Sequence, residues 1–168
     1  DMEAMGYSFL AAIGAYYVSR KSVICIIGDD RMRMNIQELQ FIVREKLPIK
    51  IIVLNNDALG MIRHFQEMYF DKNYFQTKPS SGYNASNLSK IAETYSIRST
   101  RFTENDIPKE ITELYDDSPL LLEILIEEDT YLFPKLEFGK PNQDQKPLLD
   151  RQLYNKLMML GDEDMQLE

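Results

Sequence analysis

The sequence predicts an α/β fold: a three-layer domain with a central, mainly parallel sheet flanked by helices. Three observations carry that expectation. Short strand-like runs recur at 22–27, 49–54, 97–102 and 120–126, the first two nearly continuous in apolar, β-branched residues. Stretches with helical spacing separate them, the alternation that builds parallel sheets. The first two runs also end abruptly in polar motifs, Gly28-Asp29-Asp30 and Asn55-Asn56. Strand ends of that kind face the carboxyl edge of an open sheet, where such folds bind ligands.

The elements follow in order. Residues 7–19 carry Ala11, Ala12, Gly14 and Ala15, small side chains that let a helix approach its neighbours closely. The run 22–27 is nearly continuous in apolar character, as expected of a strand covered on both faces. Residues 35–46 place Ile36, Leu39, Ile42 and Val43 at helical spacing, with Arg44 and Lys46 in the last turn, where cations suit the helix dipole. Pro48 stops that helix, and 49–54 forms the second strand. Residues 60–70 suit a helix, and 70–83 read as a long loop rich in aromatics, Lys, Pro and Ser. A short helix at 87–95 leads to the third strand, 97–102. Asp106 is expected to cap a helix with Pro108 in its first turn, running to about residue 115. The fourth strand is 120–126. Beyond Tyr131 the chain turns Pro- and charge-rich, with one last helix expected at 149–160. The domain is taken as 1–160, and 161–168 as an acidic, frayed tail.

The totals narrow the function. At 168 residues, 44% hydrophobic, the chain suits one domain with a sizeable core. No apolar run is long enough to span a bilayer. A net charge of -8 argues against nucleic acid and against an anionic membrane surface, since both ask for a basic face. The single cysteine, Cys25, sits mid-strand and reads as a buried small hydrophobe, which suits a reducing, cytoplasmic setting. No signal peptide is apparent, and the start at Asp1, directly before an Ala/Gly-rich helix, suggests a fragment.

The strand ends carry the chemistry. An Asp on one and an Asn on the other, 27 residues apart, can converge on one hard cation. Mg²⁺ prefers octahedral oxygen ligands and is often held by one or two side chains plus phosphate oxygens. Asp29 offers a carboxylate, Asn56 an amide oxygen, and the backbone carbonyl near Ala58 a third ligand. The bland alternative has Asp29 capping the next helix and Asn55-Asn56 forming an ordinary polar turn. Spacing alone does not separate the two.

The surrounding residues do. Gly28-Asp29-Asp30, Met34-Asn35-Ile36-Gln37-Glu38-Leu39, Leu47-Pro48 through Asn55-Asn56, and Leu59-Gly60-Met61 closely resemble the thiamine diphosphate enzymes, with the acetolactate synthase group nearest. Ala4-Met5-Gly6-Tyr7, Ala11-Ala12-Ile13-Gly14-Ala15, Pro134-Lys135-Leu136 and Pro147-Leu148-Leu149 extend the likeness over nearly the whole chain. The resemblance implies the C-terminal diphosphate-binding domain of a three-domain enzyme that decarboxylates a small 2-oxo acid and joins the remainder to an acceptor. It implies thiamine diphosphate and Mg²⁺ as cofactors. Asp29 and Asn56 match the metal ligands, with the Ala58 carbonyl as a third. Gly28, Asp30 and Arg31 match the turn around the diphosphate. Met5 matches the residue that wedges beneath the cofactor, Gly60 and Met61 the segment beside its thiazolium ring. Phe65 stands where these synthases usually carry a Trp that shapes the acceptor pocket.

The implied partners are a pyrimidine-binding domain, of the same or a neighbouring subunit, and further copies in a homo-oligomer. The catalytic Glu of the family lies in that other domain, so no catalytic residue is assigned here and the chain alone should be inactive. Three departures stand out. Asp30 replaces a Gly, Ala or Ser, Arg31 replaces a Ser, and Phe9-Leu10 replaces a Leu-Pro. A carboxylate about 4 Å from a diphosphate charge costs on the order of 4 kcal/mol at an effective dielectric of 20. Mg²⁺ and Arg31 can offset part of it. The alternative is a non-catalytic relative, its cofactor motif disabled at Asp30, serving assembly or regulation. No Gly-x-Gly-x-x-Gly follows the first strand and no P-loop is present, which sets nucleotide folds aside. His64 and Glu38 read as helix-face residues, the histidine partly exposed, and most of the nine methionines as packing.

Overall fold

The computed structural model describes residues 4–131 and 137–164. These fall into two compact units, Asp1–Thr130 and Tyr131–Glu168.

The first unit is built in the order α1 (Tyr7–Ser19), β1 (Val23–Gly28), α2 (Asp29–Arg33), α3 (Glu38–Arg44), β2 (Ile49–Asn55), α4 (Gly60–Tyr69), α5 (Leu88–Thr94), β3 (Arg98–Thr103) and β4 (Leu120–Leu125). The four strands form one parallel sheet in the order β1-β2-β4-β3, so the expected α/β fold is present. Cys25 and Ile27 pair in register with Ile51 and Val53, which puts their side chains on one face. Phe9 and Ala12 of α1, Met32 of α2, Leu39 and Ile42 of α3, and Leu88 and Ala92 of α5 bury themselves against that face. Cys25 is buried there as expected, and burial pushes its thiol up to about 11.

On the other face the segment leading into β4 meets the amino end of β2. The Lys50 ammonium, fully buried, donates to Asp116 Oδ1 at 2.7 Å and to the Ser118 carbonyl. That cover stops short of β1, which is one of the two edge strands. Ile24 is 57% and Ile26 61% exposed, so β1 is not covered on both faces as its apolar run implied.

Two further expectations are corrected. The helix placed at 35–46 is shorter, because Asn35 spends its side chain on the Gly6 carbonyl and the chain makes tight turns before Glu38. The helix expected from Asp106 does not form. Pro108 disfavours helical geometry at Ile107, and what remains before Pro119 supports only one 3₁₀ turn, Thr112–Tyr115. By contrast, α5 starts where expected, with the Asn87 side chain accepting from Lys90 N at 2.9 Å.

The second unit carries α6 (Arg151–Asp164), whose first turn is capped by Asp150 Oδ1, accepting from Gln152 N and Leu153 N at 3.0 Å. Its backbone runs on through Asp164, past the point where the frayed tail was expected. Pro134-Lys135-Leu136 and residues 165–168 lie outside the described residues. No helix among the described residues is long and apolar enough to cross a membrane.

Candidate functional site

A cavity of about 200 Å³ opens at the carboxyl ends of β1 and β2, and its lining gathers most of the residues singled out by sequence. Met5, Gly28, Asp29, Asp30, Arg31, Asn56, Ala58, Gly60 and Met61 all line it, joined by Leu54, Leu59, Ile62 and Ile126. Phe65 is the exception. It lies one turn further along α4, ring-stacked on His64 at 6.4 Å and tilted against Tyr69 at 6.2 Å. His64, expected to be partly exposed, is buried at 7% exposure.

Each side of the cavity has a local cause. Gly28 is the last residue of β1, and a Cβ built on it would meet nothing within 4 Å. That open cradle lies between the strand end and α2, where backbone and ligand can come close. Asp29 and Asp30 open α2, with Arg31 in the next position. Met5 is placed by Gly6, which has φ +81 and no room for a side chain, since a Cβ there would stand 2.3 Å from Asn35 Nδ2. On the β2 side, Gly60 lets the Asn56 amide lie close, with only 3.1 Å between its Nδ2 and a built Cβ.

The turn that carries Asn56 is held from three directions. Asp57 sits at φ 49, a left-handed conformation that Asp tolerates better than most residues. The Asn55 amide oxygen accepts from Asp57 N at 2.8 Å, and Asn56 Oδ1 accepts from Ala58 N at 3.3 Å. Asp57 Oδ1 accepts from Ala85 N at 2.7 Å, and Leu59 N donates to the Thr77 carbonyl. Beneath the turn, Asn55 Nδ2 donates to Glu123 Oε1 at 2.6 Å.

Asp29 is the electrostatic focus. It is 3% exposed, and desolvation raises its carboxyl to about 6, well above the ordinary carboxylate range. The Tyr83 hydroxyl donates to Asp29 Oδ2 at 3.1 Å and partly offsets that rise. Arg33 in turn donates to Tyr83 Oη at 3.5 Å and to the Asn84 carbonyl at 3.4 Å. Among the described residues no cluster of three or more His, Cys, Asp or Glu side chains is arranged to hold a metal. The side chains at the two strand ends include the carboxylates of Asp29 and Asp30 and the amide of Asn56, oxygen donors of the kind a hard cation takes together with phosphate and water.

Sequence reasoning missed Tyr83, Arg63 and Glu123. Tyr83 lies in an aperiodic loop with no signal of its own. Arg63, buried, donates to the Glu128 carbonyl, pairs with its carboxylate at 3.4 Å and stacks over Tyr74, tying α4 beside the cavity. Glu123 carried a signal that went unused: a charge inside an apolar strand run must find buried partners.

Residues 2–124 match the family described as thiamine pyrophosphate enzyme, C-terminal TPP binding domain. The chain is 36% identical over 143 residues to the acetolactate synthase large subunit of Porphyra purpurea, covering 82% of this chain and 24% of that protein. It is 32% identical over 143 residues to the acetolactate synthase isozyme 2 large subunit of Escherichia coli (strain K12), covering 83% and 26% respectively. Among solved structures, the thiamine diphosphate-dependent 4-hydroxybenzoylformate decarboxylase of Rhodococcus jostii RHA1 superposes with a TM-score of 0.61 and 25% identity, covering 75% of this chain and 24% of that one. The chain thus spans about a quarter of the length of the relatives it matches.

Proposed function

The chain belongs to the thiamine pyrophosphate enzymes, as their C-terminal TPP-binding domain, and from that membership we propose that its strand-end cavity grips the diphosphate of thiamine diphosphate through Mg²⁺. The single observation that carries the reading is the lining. Asp29, Asn56 and the open cradle at Gly28 line one cavity together with Ala58.

The residues fit the group. Asp29, Asn56 and the Ala58 carbonyl would hold the cation, which relieves the cost of keeping the Asp29 carboxylate ionised in a buried site. Gly28 leaves room for phosphate oxygens, and Arg31 offers them a guanidinium. Met5, which lines the cavity, would serve as the apolar wedge, and Gly60 and Met61 would flank the thiazolium ring. Asp30 also lines the cavity, where the cation and Arg31 would offset part of its charge against the diphosphate. Phe65, off the cavity wall, would act on the acceptor pocket only from the middle of α4, one turn beyond Met61. When bound, thiamine diphosphate supplies the carbon nucleophile and electron sink for decarboxylating a 2-oxo acid and passing the remainder to an acceptor. The chain's own part is to bind and orient.

The likeness to acetolactate synthase large subunits extends the proposal to the larger protein: a cytoplasmic homo-oligomer in which domain 1–160 meets a pyrimidine-binding domain of the same or a neighbouring subunit. That domain brings the catalytic Glu, so this chain alone turns over no 2-oxo acid. Calorimetric titration with thiamine diphosphate, with and without Mg²⁺, tests the reading. Heat that requires Mg²⁺ supports it, and equal heats with and without the metal refute the metal-held grip.

A further inference from the structure

Glu123 is 0% exposed in the middle of the sheet, and its carboxylate meets three donors. Oε1 accepts from Asn55 Nδ2 at 2.6 Å, and Oε2 from Ser89 N at 3.1 Å, an otherwise unpartnered amide in the first turn of α5. Arg101, its register neighbour on β3, approaches Oε2 with Nε at 3.3 Å. Asn55 pairs in register with Leu125, two residues beyond Glu123, so Asn55 and Glu123 share one face of the sheet as a diagonal pair.

The consequence lies in the Asn55 amide. Its two ends are chemically different, and both are used: Nδ2 toward Glu123, Oδ1 toward Asp57 N. A carboxylate presents only acceptors, so it admits only the NH₂ end of Asn55. Glu123 thereby turns the oxygen end toward Asp57, the left-handed residue on which the Asn56-Ala58 turn pivots. We infer that Glu123 is a positioning residue of the diphosphate site, fixing the Asn55 amide and through it the turn that presents Asn56 and the Ala58 carbonyl to the cavity. The inference rests on the site reading proposed above, while the turn it describes is measurable without any cofactor.

The donor and acceptor roles are exchangeable, which gives a reciprocal test on this chain. Glu123→Gln puts an NH₂ group against either Asn55 Nδ2 or Ser89 N. Asn55→Asp puts a second carboxylate against Glu123. The N55D/E123Q double variant restores one hydrogen bond in reversed polarity and keeps acceptors for Ser89 N and Asp57 N. Amide hydrogen exchange at Asp57, read relative to Ile51 and Val53 in the core of β2, is expected to quicken about tenfold in each single variant and to return toward the wild-type rate in the double. Arg101→Gln, which removes only the ion pair, should leave Asp57 as protected as in the wild type. Should a single variant fail to fold, recovery of a folded chain in the double serves the same purpose.

Equal loss at Asp57 and in the core, or a double variant no better than the singles, would overturn the role. Affinity for thiamine diphosphate with Mn²⁺ should follow the same order of variants. A wild-type chain that takes up none would count against the proposed function, while the exchange data still decide the role of Glu123.

Discussion

The Tyr83 hydroxyl donates to Asp29 Oδ2 at 3.1 Å, joining the loop that leads into α5 to the first residue of α2. One hydrogen bond thus orients the proposed metal ligand from 54 residues away in sequence. Tyr83→Phe should leave the fold intact and cost about 1.5–3 kcal/mol in denaturant unfolding at pH 7, the usual scale for a hydrogen bond to a charged group. Metal-dependent cofactor affinity should fall with it, because the carboxylate loses its fixed rotamer.

Asp29 also sets a pH dependence. Its folded value of about 6 lies above the ordinary 3.8, so the folded state holds this proton more tightly than the unfolded chain does. Stability without metal should therefore fall as pH rises from about 4 to about 6, then level off. Asp29→Asn should remove that slope and make the chain more stable at pH 7 by on the order of 2 kcal/mol. It should also abolish metal-dependent binding, a trade of stability against function. Unfolding curves for both proteins between pH 4 and 7 check the sign.

The two charged substitutions in the diphosphate turn should act in opposite directions. Asp30→Ala removes a like charge from beside the phosphates and should tighten thiamine diphosphate binding roughly tenfold, the part of the Coulomb cost that Mg²⁺ and Arg31 leave uncompensated. Arg31→Ala should weaken it by a similar factor. Paired isotherms at two salt concentrations measure both, and both effects should shrink at high salt.

Lys50 and Asp116 form an unequal pair. Lys50 is fully buried, while Asp116 is partly exposed and held well below the usual carboxylate range by hydrogen bonds from Lys50 and Ser118. Its pKa is depressed in the fold, so the stability it confers is present above the ordinary carboxylate value and lost as pH falls below it. Asp116→Asn leaves a buried ammonium without its counter-charge and should destabilise clearly. Lys50→Met removes the buried charge itself and should be near neutral. Melting temperatures of the two variants and their combination give the comparison.

What the sequence disclosed, and what it hid, follows from the range of each interaction. Asp29 and Asn56 were legible because a polar residue at the end of an apolar strand is a local signal, and the sheet does the rest by bringing two strand ends to one edge. Glu123 was hidden inside Leu-Leu-Leu-Glu-Ile-Leu-Ile, and its hydrogen-bond partners Ser89 and Asn55 lie 34 and 68 residues away, with Arg101 on a different strand. The apolar run of β1 disclosed a strand but not its neighbours, so the exposure of Ile24 and Ile26 could not be read from it. At 106–115 the capping pattern outweighed the steric effect of Pro108 on the residue before it, and the expected helix was wrong for that reason.

The central claim, a divalent cation gripped at the strand ends, is tested most directly by crystals of the chain grown with thiamine diphosphate and Mn²⁺. An anomalous difference map should place one Mn²⁺ within about 2.2 Å of the Asp29 carboxylate, the Asn56 amide oxygen and the Ala58 carbonyl, with diphosphate oxygens completing its shell. A cofactor bound in the cavity with no metal there, or a metal held elsewhere on the chain, would contradict the account.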